Sequence, residues 1–434
     1  LFNLNIELLD EDSERSLRSS SLCLLEKLLS KDSQHDPLRC KIWPSLTGNK
    51  IKLEDCALRV LPLNRLGGEE GKSGTSVFVA YFFATDKLWP SLPLIVKLGR
   101  PSPDSNRDKC KQEFEDAQSL HHLFCHSPSG FAVPLHCDER NQDRPYSVLW
   151  SPFASADGVW GDIDTNANRL KLRIEDVWKL LKENECETER VTKAMQSAFE
   201  FLWPLHQRGG TAKRKRRRFD DEYEPQLRKI DSADWAKKWR TCWGSDEESR
   251  ARDFGEEWEN PFHVLAKTRS IEAELFCGGI HGDLHPKNIV FSRDTPTIID
   301  FGWAKGDAHI AKDFVLFECN VRFVTLPASV SYHEVDAFSS WISFDEEAPK
   351  VTCPDLRGRL ELVSLLRAKA RRAFPDDTNW DLEYVVPMFM VAIGLLKHSN
   401  DFSSQVSARR HVLRLAQYVA ERVLPKYETK QATA

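Results

Sequence analysis

No Cys-x-x-Cys pair occurs anywhere in the 434 residues, although eleven cysteines are scattered from Cys23 to Cys353. A zinc ribbon and a thioredoxin-like redox site are thereby excluded, and no Cys-x-x-Cys pair accompanies His285 or His309 to complete a zinc set. An odd, unclustered set of thiols fits a reducing compartment, where cysteine acts as a small core residue. The sequence also lacks an apolar run long enough to cross a membrane, and it lacks a secretory leader. Sixty-one basic and 66 acidic residues leave a net charge of −5, which selects no class of partner. There is no internal repeat, and the chain opens on Leu1 rather than Met, as a fragment or a processed product would.

What is present reads as an ordinary soluble globular composition, 41% apolar and 29% charged. The length suits two or three folding units and a large core. Residues 1–56 read as an N-terminal extension, in which Leu17, Leu22, Leu25, Leu28 and Leu29 fall at helical spacing. That predicts a packing helix, with a docking helix for a protein partner as the alternative. Residues 57–153 have β character: "CALRVLPLNRL", a Gly-rich turn, "TSVFVAYFFA", "LPLIVKLG", a helix bearing Cys110, Phe114 and Ala117, then "GFAVPLHC" and "PYSVLWSPF". Helices dominate residues 154–434, and the charged, Trp-bearing stretch at about 208–260 reads as a surface insertion. Its run "KRKRRR" (Lys213 to Arg218) has the form of a nuclear-import signal or a nucleic-acid patch. The acidic "DDEYE" directly after it favours a self-neutralised exposed loop.

The chemistry concentrates in "GGIHGDLHPKNIVF" (Gly278 to Phe291) and "TIIDFGWA" (Thr297 to Ala304). Asn288 follows Asp283 by five residues and Asp300 follows it by 17. The intervening "IVFSRDTPTII" reads as a hairpin with its turn at Arg293 to Pro296, which would bring Asp300 back beside Asn288 and Asp283. A nucleoside triphosphate needs magnesium, and magnesium takes hard oxygens: the Asp300 carboxylate and the Asn288 amide oxygen. Asp283 is then left to orient an acceptor hydroxyl and take its proton.

"HGDLHPKN" with "IIDFG" resembles the aminoglycoside phosphotransferase and choline kinase group of the protein-kinase-like superfamily. The resemblance implies Asp283 as catalytic base, Asn288 and Asp300 as metal ligands, and His281 as a brace for the loop. Protein kinases carry His-Arg-Asp-Leu-Lys here, and no Ala-Pro-Glu follows Asp-Phe-Gly in this chain; both departures favour a small-molecule acceptor. The continuation "GDAHIAKDFVLFE" is also similar to the family, which places an Asp at Asp313. It resembles phosphotransferase-like modules of bacterial conflict systems as well, which would imply a signalling or defence role.

A site of this type requires three further parts. Gly71, Ser73, Gly74 and Thr75 in "GGEEGKSGTSVF" supply a turn whose N–H groups can face phosphates. Lys97 sits inside the apolar run "LIVKLG" and needs a partner, and Glu113 is preferred to Glu115 because it shares the inward helix face. The adenine would meet the backbone from Trp150 to Phe153. "EEGKS" is not a P-loop: the first Gly should stand at position 66, which is Leu66, and the next segment reads as strand. "FDEEAP" (Phe344 to Pro349) reads as an ordinary exposed loop, with an acidic pocket for a cationic acceptor as the alternative.

The expected fold is therefore α+β and bilobal, protein-kinase-like, with a small β-rich N-lobe, a large helical C-lobe, and nucleotide in the cleft between them. The expected activity is an ATP- or GTP- and Mg²⁺-dependent phosphotransferase acting on a small-molecule hydroxyl, in the cytoplasm, without membrane or nucleic-acid partners. The alternatives are a non-catalytic nucleotide-binding sensor or scaffold and, third, a protein kinase.

Overall fold

The apolar runs between 56 and 152 form one antiparallel sheet in the computed structural model. The structure describes residues 56–62, 75–84, 90–99, 108–120, 130–138, 147–152, 154, 163–164, 169–170, 175–182, 188–207, 210–228, 230, 234–292 and 295–431. The strands are β1 (Cys56–Pro62), β2 (Thr75–Ala84), β3 (Pro90–Gly99), β4 (His136–Asp138) and β5 (Ser147–Pro152), in the order β1-β2-β3-β5-β4. In β3, Leu94, Val96 and Leu98 are buried, while Ile95 and Lys97 alternate to the other face, as the two-residue strand period requires. The helix α1 (Lys109–Ser119) starts where Asp108 caps it by accepting Lys111 N–H at 3.1 Å. It buries Cys110, Glu113 and Ala117, spaced three and four apart.

The described residues up to Glu175, together with Val290–Ala304, form one compact unit; Asp176–Ile289 and the residues from Lys305 onward form a second. Val290–Ala304 joins the first unit through a parallel bridge between Phe131 and Ile298, and through Thr297 Oγ1 donating to Ala154 O at 2.6 Å. The strands Ile289–Ser292 and Thr295–Ile298 are neighbours, which is the expected hairpin. Its second strand begins at Thr295, so Thr295 and Pro296 belong to a strand rather than to the expected turn, and residues 293–294 lie outside the described residues.

The second unit holds the helix α2 (Thr188–His206) and an antiparallel sheet of β6 (Lys213–Arg218), β7 (Glu272–Ile280) and β8 (Lys305–His309), in the order β8-β7-β6. The helices α3 (Ala311–Cys319), α4 (Pro354–Ala373) and α5 (Val386–Leu395) complete its core. At that core a buried Glu318 binds Arg322 at 2.6 Å, Arg367 at 3.0 Å and Tyr384 Oη at 2.7 Å. A carboxylate is tolerated there because each of its oxygens has a partner. Contrary to expectation, the helical stretch Asp381–Asn400 has the length and mean hydropathy of a membrane span; 83% of its apolar window is buried inside the protein.

The charged stretch at 208–260 is not a surface insertion. Its basic run is β6, paired along its length with β7, and Trp239, Trp243 and Trp258 are buried. Alternation splits the run between two faces, and the cations find carboxylates there. Lys215 and Arg217 meet Asp307, Arg216 meets Glu272, and Arg214 meets Glu383 and Asp377. The acidic "DDEYE" is not a loop either: Phe219 and Tyr223 are buried, and Glu222 binds Lys312 at 2.5 Å.

Candidate active site

The His-Gly-Asp loop leaves β7 in the second unit and is held from within by Asp313. One carboxylate oxygen accepts the N–H of His281 at 3.0 Å, and the other accepts that of Gly282 at 2.8 Å. His206, the last residue of α2, holds Asp313 Oδ2 through Nε2 at 3.0 Å. Burial alone would raise the Asp313 carboxyl, but the His206 bond, the two nearby imidazoles and the His281 amide keep it below the usual carboxylate range. Gly282 has φ +83°, a left-handed turn that glycine enters without strain. Gly278 answers a different need: a Cβ there would stand 2.1 Å from the His206 carbonyl oxygen, so β7 can pass α2 only as glycine.

Beyond the turn, the buried His281 receives Asp283 N–H on Nδ1 at 3.3 Å, which places its ring proton on Nε2. Asn288 Nδ2 donates to Asp283 O at 2.9 Å, and Asn288 N–H donates to His285 O at 2.8 Å. These bonds close a short turn, Pro286–Asn288, that fixes the spacing of Asp283 and Asn288. The Asn288 amide nitrogen is thereby committed and its oxygen remains the acceptor end. The Asp283 carboxylate is partly exposed, 3.7 Å from His285 Nε2.

In the first unit, Lys97 Nζ donates to both oxygens of Glu113, at 2.7 and 2.9 Å, and lies 3.6 Å from Asp300 Oδ2. The lysine and glutamate side chains are 16% and 10% exposed, whereas Asp300 is 47% exposed. Burial opposes the lysine charge, but Asp300 and then Glu113 outweigh it and raise its pKa. Burial pushes Glu113 up to about 7 despite Lys97, and Asp300 adds repulsion. One cation serves two carboxylates, so it stays charged while the more buried carboxyl holds its proton longer. Asp300 has φ +65°, a strained conformation for a residue with a side chain, and one found at functional sites. The following Phe301 is buried edge-on to Phe131, with ring centres 6.1 Å apart.

Of the expected positions, Lys97, Glu113 and Asp300 meet in one unit, and Asp283 and Asn288 meet in the other. Glu115 instead faces Lys111 at 3.8 Å. Gly71, Ser73, Gly74 and Phe153 lie outside the described residues, and Thr75 opens β2. Trp150 is buried in β5, and its carbonyl accepts Leu135 N–H at 2.7 Å. Nothing in the sequence points to His206, because a histidine closing a helix 107 residues before its partner leaves no local signal. A second Asp-Phe-Gly, Asp253–Gly255, lies in the stretch expected to be an insertion. There Asp253 accepts Trp243 Nε1 at 2.8 Å, and Phe254 and Gly255 turn a hairpin with φ +54° and +76°. The tripeptide alone thus identifies nothing.

The structure is thus α+β: a strand lysine joined to a helix glutamate, with an Asp-Phe-Gly aspartate beside that lysine, lies in the first unit, and a His-Gly-Asp loop pinned by a buried aspartate lies in the second. The family model described as ternary complex associated domain 9 matches residues 212–397, which take in the loop, Asp300 and Asp313. Amicoumacin kinase hAmiN, in complex with AMP-PNP, Ca²⁺ and Ami, is similar over 95% of this chain and 96% of its own, at 14% identity and a TM-score of 0.44. A thermostable aminoglycoside phosphotransferase mutant, in ternary complex with ADP and hygromycin B, is similar over 86% and 97%, at 11% identity and a TM-score of 0.40. Choline kinase from Cryptosporidium parvum is similar over 88% and 92%, at 10% identity and a TM-score of 0.35. No curated protein matches the chain. At these identities the functional reading rests on the residues themselves.

Proposed function

We propose that the protein is an ATP- or GTP- and Mg²⁺-dependent phosphotransferase that moves the γ-phosphoryl group to a hydroxyl of a small molecule. The observation that carries this reading is the Lys97–Glu113–Asp300 trio, a half-exposed carboxylate held against a buried, bidentate lysine pair. A purely structural ion pair has no need of a third, strained and exposed carboxylate.

Asp300 in the first unit offers a carboxylate and Asn288 in the second an amide oxygen; each is a hard donor of the kind magnesium takes alongside waters and phosphate oxygens. Among the described residues no three His, Cys, Asp or Glu side chains gather as a dedicated metal cage, and this mode of binding requires none. When bound, the ion would neutralise charge on the phosphates. Lys97 would orient the phosphates, and Asp283 would accept the acceptor's O–H proton. The acceptor oxygen then bonds to the γ-phosphorus as the bond from phosphorus to the bridging oxygen breaks, and that oxygen leaves with its electron pair on ADP or GDP.

The test is Asp283→Asn. Phosphoryl transfer should fall by about 10² or more, while calorimetry should find nucleotide affinity retained. Transfer that persists would remove Asp283 as the base. Nucleotide binding by the wild type with no turnover of any kind would move the reading to a sensor or scaffold.

A further inference from the structure

The basic strand β6 lies at the edge of its sheet. It pairs with β7 on one side, and in the order β8-β7-β6 no strand follows it. Its open backbone groups follow from β7. Phe276 N–H donates to Glu383 Oε2 at 2.8 Å, and Phe276 O accepts Ile310 N–H at 3.2 Å, so both groups turn away from β6. The register partner of Phe276 is Arg214. In an antiparallel pair such a position is the non-hydrogen-bonded one, and the two kinds alternate. The main-chain N–H groups of Arg214, Arg216 and Arg218 therefore point out from the sheet, as do the carbonyls of Arg214 and Arg216. Phe219 N–H falls on the other parity, and it does bond across, to Ile271 O at 3.1 Å. Among the described residues no hydrogen bond meets these outward groups.

The side chains of the strand select what can pair there. The Arg216 side chain is 74% exposed and that of Arg218 is 49% exposed, and Lys213 is exposed as well. Glu272 and Asp307, which meet Arg216, Lys215 and Arg217, come from β7 and β8, on the paired side of the strand. The Arg216–Glu272 and Arg218–Asp220 pairs are surface pairs, worth about 1 kcal/mol or less, so these guanidiniums lose little by turning to carboxylates on the open side. A second copy of the chain is disfavoured, because its own β6 would set cation against cation across the new pair. A strand that carries carboxylates has the complementary charge. A cavity of about 640 Å³ adjoins this end of the strand, lined by Arg216, Arg217, Arg218 and Lys305 among others, and gives an acidic side chain a place to enter.

We propose that β6 is a docking edge for an extended, acidic segment of a partner protein, which adds to the three-stranded sheet as a further strand. Its main chain bonds the outward groups of Arg214, Arg216 and Arg218, and its carboxylates meet Lys213, Arg216 and Arg218. Because β7 ends at Ile280, directly before His281, the added strand extends the sheet from which the His-Gly-Asp loop leaves. Docking here requires no nucleotide and no turnover, so it stands or falls apart from the phosphotransferase reading.

The experiment is fluorescence anisotropy on the full chain with a labelled peptide of about eight residues that alternates glutamate and threonine. Two controls accompany it: the same peptide with lysine for glutamate, and a fully N-methylated version that keeps the carboxylates but has no N–H to donate. The glutamate peptide should bind about tenfold or more tightly than either control. In its presence the amides of Arg214, Arg216 and Arg218 should exchange with deuterium about tenfold or more slowly. Arg216→Pro removes one outward N–H and no ladder bond, so it should weaken the peptide by about tenfold while the melting temperature stays near that of the wild type. Arg216→Glu with Arg218→Glu should move the preference towards the lysine peptide. If the proline variant fails to fold, the N-methylated peptide decides alone. The proposal is overturned if the glutamate peptide does not bind, if it binds no better than the lysine peptide, or if N-methylation leaves its affinity unchanged, which would reduce the contact to charge attraction. It is also overturned if the wild type dimerises with rising concentration and Arg216→Pro abolishes that dimer, because the edge then belongs to a second copy.

Discussion

Asp313 accepts the main-chain N–H of Gly282 at 2.8 Å, and with its other oxygen it holds the N–H of His281. Replacing it by alanine would strand two buried donors and leave His206 without its partner. Asp313→Ala should therefore lose about 3–5 kcal/mol of stability, read from urea unfolding, and Asp313→Asn less, because the amide keeps one acceptor. An unfolding midpoint that did not move in the alanine variant would show that the loop is held by something else.

A glycine is demanded at 278 by a backbone contact rather than by a turn. A Cβ at that position would meet the His206 carbonyl oxygen at 2.1 Å, so no side-chain movement can relieve the clash. Gly278→Ala should destabilise by about 3 kcal/mol or more, seen as a large fall in melting temperature. Gly255→Ala offers a contrast: nothing stands within 4 Å, so only its φ of +76° opposes the substitution and the loss should be smaller.

The raised Glu113 carboxyl gives stability a defined pH dependence. Its folded pKa, about 7, lies above its ordinary value of 4.5, so between these values the folded state keeps a proton that the unfolded chain has released. This contribution is fully present below about pH 4.5 and is lost as pH rises through 7. Glu113→Gln should flatten that part of the melting-temperature profile. A wild-type profile that rises across the same window, with no difference in the variant, would contradict the assignment.

Magnesium dependence should follow Asp300 and Asn288. Chelation should abolish transfer, and added Mg²⁺ should restore it. Asp300→Asn removes a charge from the proposed ligand set, so the Mg²⁺ concentration for half-maximal rate should rise by about tenfold or more. Asn288→Ala should combine that effect with loosening of the turn, since its amide also ties down Asp283 O. Transfer insensitive to both substitutions would exclude these groups as ligands.

The basic strand should not behave as a nucleic-acid patch. Arg214, Lys215, Arg216 and Arg217 are each paired with carboxylates of the same unit. Any DNA binding should therefore change by less than about tenfold between about 50 and 200 mM salt, well short of the roughly 10³ or more expected for six or more phosphate contacts. Lys215→Ala with Arg217→Ala should instead cost about 1 kcal/mol of stability, because two ion pairs to Asp307 are lost. Paired in a sheet, the run also differs from the exposed segment that an import signal would need.

Several elements were legible because their causes are local. The strands at 75–84 and 90–99 follow from β-branched and aromatic runs, and the alternation of β3 puts Lys97 opposite Leu94, Val96 and Leu98. Helical spacing chose Glu113 over Glu115 for the same reason. The basic run misled because six charges in a row suggest solvent, whereas strand alternation divided them between two faces.

By itself the sequence determined what lies within about twenty residues. It set the His-Gly-Asp loop and its Asn288, the hairpin that returns the chain to Asp300, and a lysine inside an apolar strand, because strand, turn and helix periods are short-range properties. Only the tertiary structure decided which distant groups hold those pieces: His206 and Asp313 across 107 residues, Arg214 and Glu383 across 169, and Lys97 against Asp300. A buried charge must find its counter-charge wherever packing brings one, and packing is a property of the whole chain.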